Sequence, residues 1–278
     1  ARFPYYMDTY GAHTIHGRAP AFASGIKLAN PDLTVFLVSG DGDLLSIGGN
    51  HTIHALRRNI DMNIVLLNNK IYGLTKGQYS PTSELGKVTK STPMGSLDYP
   101  FNPPSLALGS GATFVARTID RELKHMASII KESHGHKGGS FVEIYQNCIV
   151  YNDGVFSDFT EKGVAANRQI HLEHGKPMIF GSDDQLGLRI AASKLALEVV
   201  TLGHSGVTED DIVVHDETDR IMAHILAEMQ GADLPVALGV LYCDPMPSYE
   251  AGIHGLAVRA GEQATTRDLD ELLRSGRT

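Results

Sequence analysis

The segments Gly40-Asp41-Gly42-Asp43 and Asn68-Asn69-Lys70-Ile71-Tyr72-Gly73-Leu74-Thr75 decide the fold of this 278-residue chain. An apolar, β-branched run at residues 33–38 precedes the first segment, and a second apolar run at 64–67 precedes the other. Both runs predict buried strands. Residues 46–59 lie between them and predict a helix that ends at the basic pair Arg57-Arg58. A strand, a helix and a strand form a βαβ unit, so we predict an α/β fold with a mainly parallel sheet and helices on both faces.

Both segments follow the carboxyl end of a predicted strand, which is where open parallel sheets bind ligands. Gly40 and Gly42 allow a tight turn whose N–H groups can approach an anion. Asp41 and Asn69 offer hard oxygen ligands, which suit a Mg²⁺ ion that completes its shell with phosphate oxygens. A single Gly-Asp-Gly triplet is also common in tight turns with a solvated aspartate. Its pairing with Asn-Asn one βαβ unit later favours a metal-bridged diphosphate site.

The spacing from Gly-Asp-Gly to Asn-Asn resembles the thiamine-diphosphate motif. The resemblance implies a pyrophosphate-type thiamine-diphosphate-binding domain in which Asp41, Asn69 and the backbone carbonyl of Ile71 hold Mg²⁺. It also implies cofactor contacts from a larger set of residues, namely His16, Gly17, Gly40, Asp41, Gly42, Asp43, Asn69, Gly73, Leu74 and Thr75.

A longer series of motifs occurs in one order along the chain: His16-Gly17-Arg18, Ile47-Gly48-Gly49-Asn50-His51, Tyr72-Gly73-Leu74-Thr75-Lys76-Gly77-Gln78 with Ser80-Pro81-Thr82, and Tyr145-Gln146-Asn147-Cys148. Together they resemble the β subunits of the 2-oxoacid:ferredoxin oxidoreductases, most of all the 2-oxoglutarate type (2-oxoglutarate synthase). The resemblance implies thiamine-dependent oxidative decarboxylation of a 2-oxoacid with coenzyme A, which yields an acyl-CoA such as succinyl-CoA, CO₂ and reduced ferredoxin. The family can also run this reaction in reverse.

The resemblance further implies a [4Fe–4S] cluster, which needs four thiolates. Cys148 matches the family's fourth cluster cysteine, whereas the other three lie in an N-terminal segment that this sequence lacks. Because the chain begins Ala1-Arg2-Phe3-Pro4 without a methionine, and this stretch resembles the one after the family's third cysteine, we expect further residues before Ala1. Without the resemblance, Cys148 would be interpreted as a buried structural thiol, as Cys243 is.

Three residues are candidates for direct roles in catalysis. Lys76 would handle coenzyme A or substrate by resemblance, or would be an exposed loop lysine. His16 would contact the cofactor or anchor a polar loop. Arg2 would bind the substrate carboxylate. No glutamate suited to activate the aminopyrimidine ring is evident. The family's α subunit supplies it, so we expect a heterodimer or heterotetramer and an inactive isolated chain.

Composition narrows the possible partners and locations. The formal charge of −8 and the sequence pI of about 5.9 argue against nucleic acid and anionic membranes as partners. No apolar run approaches the roughly 20 residues of a membrane span, and no signal peptide is evident. These features predict a cytoplasmic protein. We predict a thiamine diphosphate and magnesium core at residues 1–150 and a C-terminal extension at 151–278 that packs on it.

The periodicity also predicts local details. Residues 18–29 form a helix whose core face is Ala21, Phe22, Gly25, Ile26 and Ala29, and residues 121–134 form one whose core face is Leu123, Met126, Ala127 and Ile130. Residues 76–104 form a long functional connection, and residues 265–275 form a short capped helix.

Two other functions remain open. One is a non-redox thiamine enzyme, such as a decarboxylase or an acetolactate-synthase-like module, which needs no cluster. The other is a non-catalytic accessory subunit, against which the intact pair Asp41 and Asn69 argues.

Overall fold

The computed structural model describes residues 3–229, 231, 233–263 and 273–274 of the chain. The strands are β1 (Phe36–Gly40), β2 (Asn63–Asn68), β3 (Phe114–Ile119), β4 (Ser140–Tyr145), β5 (Gln169–His171), β6 (Ile179–Phe180), β7 (Leu186–Ile190), β8 (Leu197–Thr201) and β9 (Val236–Cys243). The helices are α1 (Ala19–Ala29), α2 (Gly49–Arg57), α3 (Pro103–Gly109), α4 (Leu123–Gly135), α5 (Ser157–Thr160), α6 (Ala165–Arg168), α7 (Arg220–Glu228) and α8 (Tyr249–Gln263). Short 3₁₀ segments lie at Phe3–Tyr5 and Glu209–Asp211, and a π-helix lies at Asp43–Ile47.

The main sheet has the strand order β1-β2-β4-β3-β9-β5. All its pairs are parallel except β3 with β9, which is antiparallel. The predicted α/β fold with a mainly parallel sheet is therefore confirmed. A second sheet, β6-β7-β8, is antiparallel throughout.

The two faces of the main sheet bury different residues of the same strands. Ile64 and Leu66 of β2 belong to a cluster that also contains residues of α1, α2, α3 and α7. Val65, between them, belongs to a second cluster with Ile129 of α4. Because side chains alternate along a strand, neighbouring residues face opposite layers. The sheet thus carries helices on both faces, as predicted.

The C-terminal part of the chain contributes two strands to the main sheet. β9 pairs with β3, and β5 pairs with the far side of β9. The division at residue 150 into a core and an extension stays a prediction. In the described part of the chain, no helix is both long and apolar enough to cross a membrane.

The predicted core face of α1 is wrong. Phe22 and Ile26 are 53% and 44% exposed, and the buried residues are Pro20, Ala23 and Lys27. Lys27 can face inward because its Nζ lies 3.0 Å from Asp61 Oδ2 and donates to the Leu33 carbonyl at 2.9 Å. A lysine that is paired in this way is tolerated in the core, although a prediction based on apolar residues alone would place it in solvent.

The core face predicted for α4 is partly wrong. Met126 and Ile130 pack against a core cluster, as predicted, whereas Leu123 is 68% exposed. Ala127, which was also predicted to face the core, is exposed. Ser133 is buried instead, because its hydroxyl donates to Asn63 Oδ1 at 2.7 Å. The first strand also begins later than predicted, at Phe36. Residues 265–272 and 275 of the predicted C-terminal helix lie outside the described residues.

Gly239 in β9 leaves no room for a side chain. Its φ is +119°, and a Cβ there would lie 2.9 Å from the Leu172 carbonyl oxygen. We expect Gly239→Ala to lower the free energy of unfolding by about 1–3 kcal/mol, because an L-residue is strained there and the obstacle is backbone. Thermal unfolding measures the effect.

The matched control is Gly25→Ala in α1, where a Cβ meets no atom within 4 Å. Alanine should raise helix stability there by up to about 1 kcal/mol. Equal melting temperatures for the two variants would contradict the expected strain at Gly239.

Candidate active site at the carboxyl ends of β1 and β2

Three oxygen positions converge just beyond β1 and β2. The Asn69 side-chain oxygen lies 2.8 Å from the Ile71 carbonyl oxygen and 3.3 Å from Asp41 Oδ1, so three hydrogen-bond acceptors face one another. If the amide group is rotated by 180°, its nitrogen takes this position and donates to both neighbours. Cis ligands of an octahedral Mg²⁺ with bonds of about 2.1 Å are separated by about 3 Å. The donor set and its spacing therefore fit Mg²⁺, on the three residues predicted to hold it.

Two buried hydroxyls support the second oxygen of Asp41. Ser80 Oγ donates to Asp41 Oδ2 at 2.5 Å, and Thr82 Oγ1 lies 2.7 Å from the same atom. Asp41 is 1% exposed, and this burial raises the pKa of its carboxyl, whereas the two hydroxyl hydrogen bonds oppose the rise. The hydroxyls thus leave Oδ1 directed at the metal position and stabilise the charged form of the ligand.

A chain of buried polar groups continues from Thr82 through the sheet. Thr82 Oγ1 is 2.9 Å from Asn68 Oδ1, and Asn68 Nδ2 donates to Glu143 Oε1 at 2.7 Å. Glu143 in turn accepts from Arg117 Nε at 2.7 Å, and both of these side chains are almost fully buried. Removing one member of such a pair leaves an uncompensated buried charge. These hydrogen bonds connect Asp41, the candidate metal ligand directly after β1, to β2, β4 and β3.

The turn after β1 touches the turn after β2 through Gly42 and Tyr72. Tyr72 Oη donates to the Gly42 carbonyl at 2.7 Å. A Cβ on Gly42 would lie 2.2 Å from Tyr72 Cε1, so only glycine lets this ring approach. The close packing holds the two predicted diphosphate-binding turns together.

Asp43 is occupied by protein groups. Its Oδ1 accepts from the Gly17 N–H at 2.6 Å and lies 2.5 Å from His16 Nδ1, and its Oδ2 accepts from Ser39 Oγ at 2.5 Å. Asp43 thus fixes the His16-Gly17 turn beside the site. Its predicted contact with the diphosphate stays a prediction, as do those of Gly40, His16 and Gly17.

The turn at residues 72–78 carries the other predicted contacts. Tyr72 and Gln78 close it through a bridge, and the Gly77 N–H donates to the Tyr72 carbonyl at 2.9 Å. Leu74, Thr75 and Lys76 are exposed on this turn, and Lys76 has a φ of +69°. The roles predicted for Gly73, Leu74, Thr75 and Lys76 stay predictions, and Arg2 lies outside the described residues.

Cys148 lies beside the diphosphate turn. A Cβ built on Gly73 would be 3.8 Å from Cys148 Sγ. Asn152, which bridges to Cys148, donates its side-chain amide to the Asn69 carbonyl at 2.9 Å. The loop that carries Cys148 is therefore tied to the backbone of a predicted metal ligand. By contrast, burial together with Glu217 and Asp244 raises the pKa of the Cys243 thiol to about 11.

Sequence reasoning missed most of the supporting shell. Ser80, Thr82 and Asn68 stand in the quoted motifs, but no pattern assigned the two hydroxyls to Asp41 or Asn68 to Glu143. Glu143 and Arg117 carried no signal beyond lying in strands. A charged residue inside an apolar strand, such as Glu143 in Ser140–Tyr145, is the one local hint of a buried partner.

Comparison with known proteins also indicates a thiamine-diphosphate-binding domain. Residues 1–144 match the family described as "Thiamine pyrophosphate enzyme, C-terminal TPP binding domain". The chain is 49% identical over 267 residues to 2-oxoglutarate oxidoreductase subunit KorB of Mycobacterium tuberculosis, covering 95% of this chain and 70% of that protein. It is 46% identical over 159 residues to 2-oxoacid:ferredoxin oxidoreductase 1, subunit beta, of Aeropyrum pernix, covering 57% of this chain and 50% of that protein.

A solved structure is similar along the whole chain. It is 2-oxoglutarate:ferredoxin oxidoreductase from Magnetococcus marinus with 2-oxoglutarate, coenzyme A and succinyl-CoA bound. The TM-score is 0.72 at 31% identity, and the match covers 100% of this chain and 79% of that chain.

Thr82 offers a test of the support for Asp41. We expect Thr82→Val, which keeps the shape but removes the hydroxyl, to weaken Mg²⁺-dependent binding of thiamine diphosphate by about 10–100-fold. Calorimetric titration of the full-length protein with its partner measures the affinity. The matched control is Thr201→Val, at an exposed position of β8 in the other sheet. An unchanged affinity in Thr82→Val would show that Asp41 does not need this hydroxyl.

Proposed function

The chain belongs to the β subunits of the 2-oxoacid:ferredoxin oxidoreductases, and from this premise we propose that it binds the diphosphate end of thiamine diphosphate in a 2-oxoglutarate-oxidising enzyme. The observation that carries the proposal is the convergence of the Asp41, Asn69 and Ile71 oxygens at the ends of two parallel strands. In that role the three oxygens hold Mg²⁺, and the turns after β1 and β2 hold the diphosphate.

The bound cofactor supplies the carbon chemistry of 2-oxoacid decarboxylation. This chain's residues fix its position. Ser80 and Thr82 orient Asp41, and Tyr72 locks the two turns against each other. Because each of these groups is held by buried hydrogen bonds, the anchor is preorganised and the reactive ring is presented at a constant place.

This chain forms only one half of the cofactor site, and a partner subunit supplies the other half. Of the carboxylates near the turns, Asp43 is engaged by Gly17, His16 and Ser39, and Glu84 lies 3.1 Å from Lys70 Nζ. Neither is free to activate the aminopyrimidine ring. We therefore assign that role to the α subunit.

A surface for this partner lies beside the turns. A cleft of about 550 Å³ opens next to Tyr72 and Ser80, and its lining includes Leu97 and Tyr99, which are 86% and 84% exposed. Contiguous exposed apolar groups of this kind mark protein-interaction surfaces. Contact with the α subunit would bury them and close the cofactor site to water.

The substrates proposed are 2-oxoglutarate and coenzyme A, with ferredoxin as electron acceptor. Support comes from the names of the relatives and from the ligands of the Magnetococcus marinus enzyme. Lys76 is exposed at the tip of the diphosphate turn, where a mobile cation could meet an anionic substrate or coenzyme A. A cytoplasmic location and the physiological direction of the reaction stay predictions.

A [4Fe–4S] cluster does not fit the thiols of this sequence alone. The cluster takes four thiolates, whereas the sequence has two cysteines, and Cys243 is a protonated thiol at neutral pH. We propose that Cys148, which lies beside Gly73, is one ligand and that the others lie outside these 278 residues.

Reconstitution tests the proposed function. We expect the full-length protein to reduce ferredoxin in the presence of 2-oxoglutarate and coenzyme A only after its partner subunit is added, because Asp43 and Glu84 beside the turns are engaged by protein groups. A photometric assay of ferredoxin reduction, with pyruvate as the comparison substrate, measures it. Turnover by the protein without its partner would contradict the proposal that the partner completes the cofactor site. Decarboxylation without coenzyme A, acceptor or iron would identify a non-redox thiamine enzyme instead.

The two cysteines provide a matched pair of variants. In the full-length protein purified anaerobically with its partner, we expect Cys148→Ser to lose most of the iron and acid-labile sulfide, of which the unmodified protein should hold about four each. Cys243→Ser should retain both, since that thiol is held protonated by burial and nearby carboxylates. Full iron content in Cys148→Ser would exclude this cysteine as a ligand.

A further inference from the structure

A second group of metal-ligating side chains lies away from the cofactor site, where α4 begins. Glu122 immediately precedes this helix, His125 lies in its first turn, and His171 is the last residue of β5. One donor atom from each of the three lies within 4.8 Å of the other two. Among the described residues, no other histidine, cysteine, aspartate or glutamate group of this kind is found.

The distances within the group suit a tetrahedral transition-metal ion. Glu122 Oε2 lies 2.7 Å from His171 Nε2 and 3.9 Å from His125 Nδ1. The two imidazoles meet edge to face, with ring centroids 4.9 Å apart. Zinc bonds of about 2.0–2.2 Å place tetrahedral ligands about 3.3–3.6 Å apart. The observed separations straddle that range, so small side-chain rotations bring the three donors onto one ion.

The surroundings leave these donors available. In the described part of the chain, the charged partners of Glu122 are these two histidines, because the neighbouring Arg121 pairs with Glu161 at 3.0 Å. The side chains of Glu122, His125 and His171 are 30%, 21% and 45% exposed, so solvent reaches them and water can complete the shell. Two hydrogen bonds compete with coordination: the Thr118 hydroxyl lies 2.8 Å from His125 Nδ1, and His171 Nε2 lies 2.7 Å from Glu122 Oε2. A bound ion would replace both.

We propose that Glu122, His125 and His171 bind a divalent transition-metal ion of the Zn²⁺ class. Two imidazoles and one carboxylate are a donor set that Zn²⁺ takes with an open position for water. Mg²⁺ prefers oxygen ligands, so this site and the cofactor site select different ions. The ion links β5, a three-residue edge strand that pairs only with β9 in the main sheet, to the start of α4. The site thereby braces the edge of the sheet.

The experiment uses the full-length protein purified with its partner, without an affinity tag and with saturating Mg²⁺ and thiamine diphosphate. Zinc chloride is added, and the metal retained after dialysis is measured by mass spectrometry. Affinity comes from competition with a chromophoric chelator. We expect the unmodified protein to retain one more Zn²⁺ per chain than a His171→Ala variant. Zn²⁺ should also raise the melting temperature of the unmodified protein but not that of the variant. Loss of a ligand should weaken binding by at least about 100-fold, the upper end of the effect of losing an outer-sphere partner.

Glu122→Gln is the second test variant and should weaken binding in the same way. His174→Ala is the matched control, since His174 is also half-exposed and lies 3.8 Å from a carboxylate, that of Asp216, yet belongs to no three-ligand group among the described residues. Equal zinc retention in His171→Ala and the unmodified protein would overturn the proposal. So would a zinc X-ray absorption spectrum with sulfur at about 2.3 Å, which would place the ion on cysteine thiolates.

Discussion

The burial of one carboxylate, Asp41, constrains much of this structure. A charged group that is 1% exposed must be compensated by its neighbours, and the chain supplies that compensation from several distant segments. Ser80 and Thr82 donate to one oxygen, and the other is directed at the convergence with Asn69 and Ile71. The long connection after β2 contains no helix or strand before α3. Ser80 and Thr82 in this connection are nevertheless buried, because their hydroxyls donate to the buried Asp41 carboxylate.

The compensation extends across the sheet as well. Thr82 Oγ1 lies 2.9 Å from Asn68 Oδ1, Asn68 Nδ2 donates to Glu143, and Glu143 pairs with Arg117. Breaking a buried pair of this kind costs on the order of 3–5 kcal/mol, whereas its net contribution relative to apolar residues is small. Its value here is specificity, because satisfied polar groups on the three neighbouring strands β2, β4 and β3 admit only one relative placement of their side chains. The same placement locates the oxygens of the candidate metal site.

The site is built as one side of an interface. Polar anchors lie at the strand ends, while apolar side chains such as Leu97 and Tyr99 remain exposed around them. Exposed apolar side chains that line one cleft suit a protein-interaction surface. In the proposed function, this chain holds the diphosphate and the family's other subunit supplies the surface that completes the pocket.

The sequence by itself determined the βαβ order and the two strand ends, because these depend on local periodicity. Its resemblance to the thiamine-diphosphate motif, which spans some thirty residues, supplied the three residues proposed to hold Mg²⁺. Tertiary structure decided which hydroxyls support Asp41, why Lys27 rather than Phe22 faces the core, and how Cys148 lies beside Gly73. Those contacts join residues far apart in the chain, and a buried polar group can be assigned only when its partner is seen. The sequence motif therefore indicated the candidate ligands, and long-range packing determined which residues hold them in place.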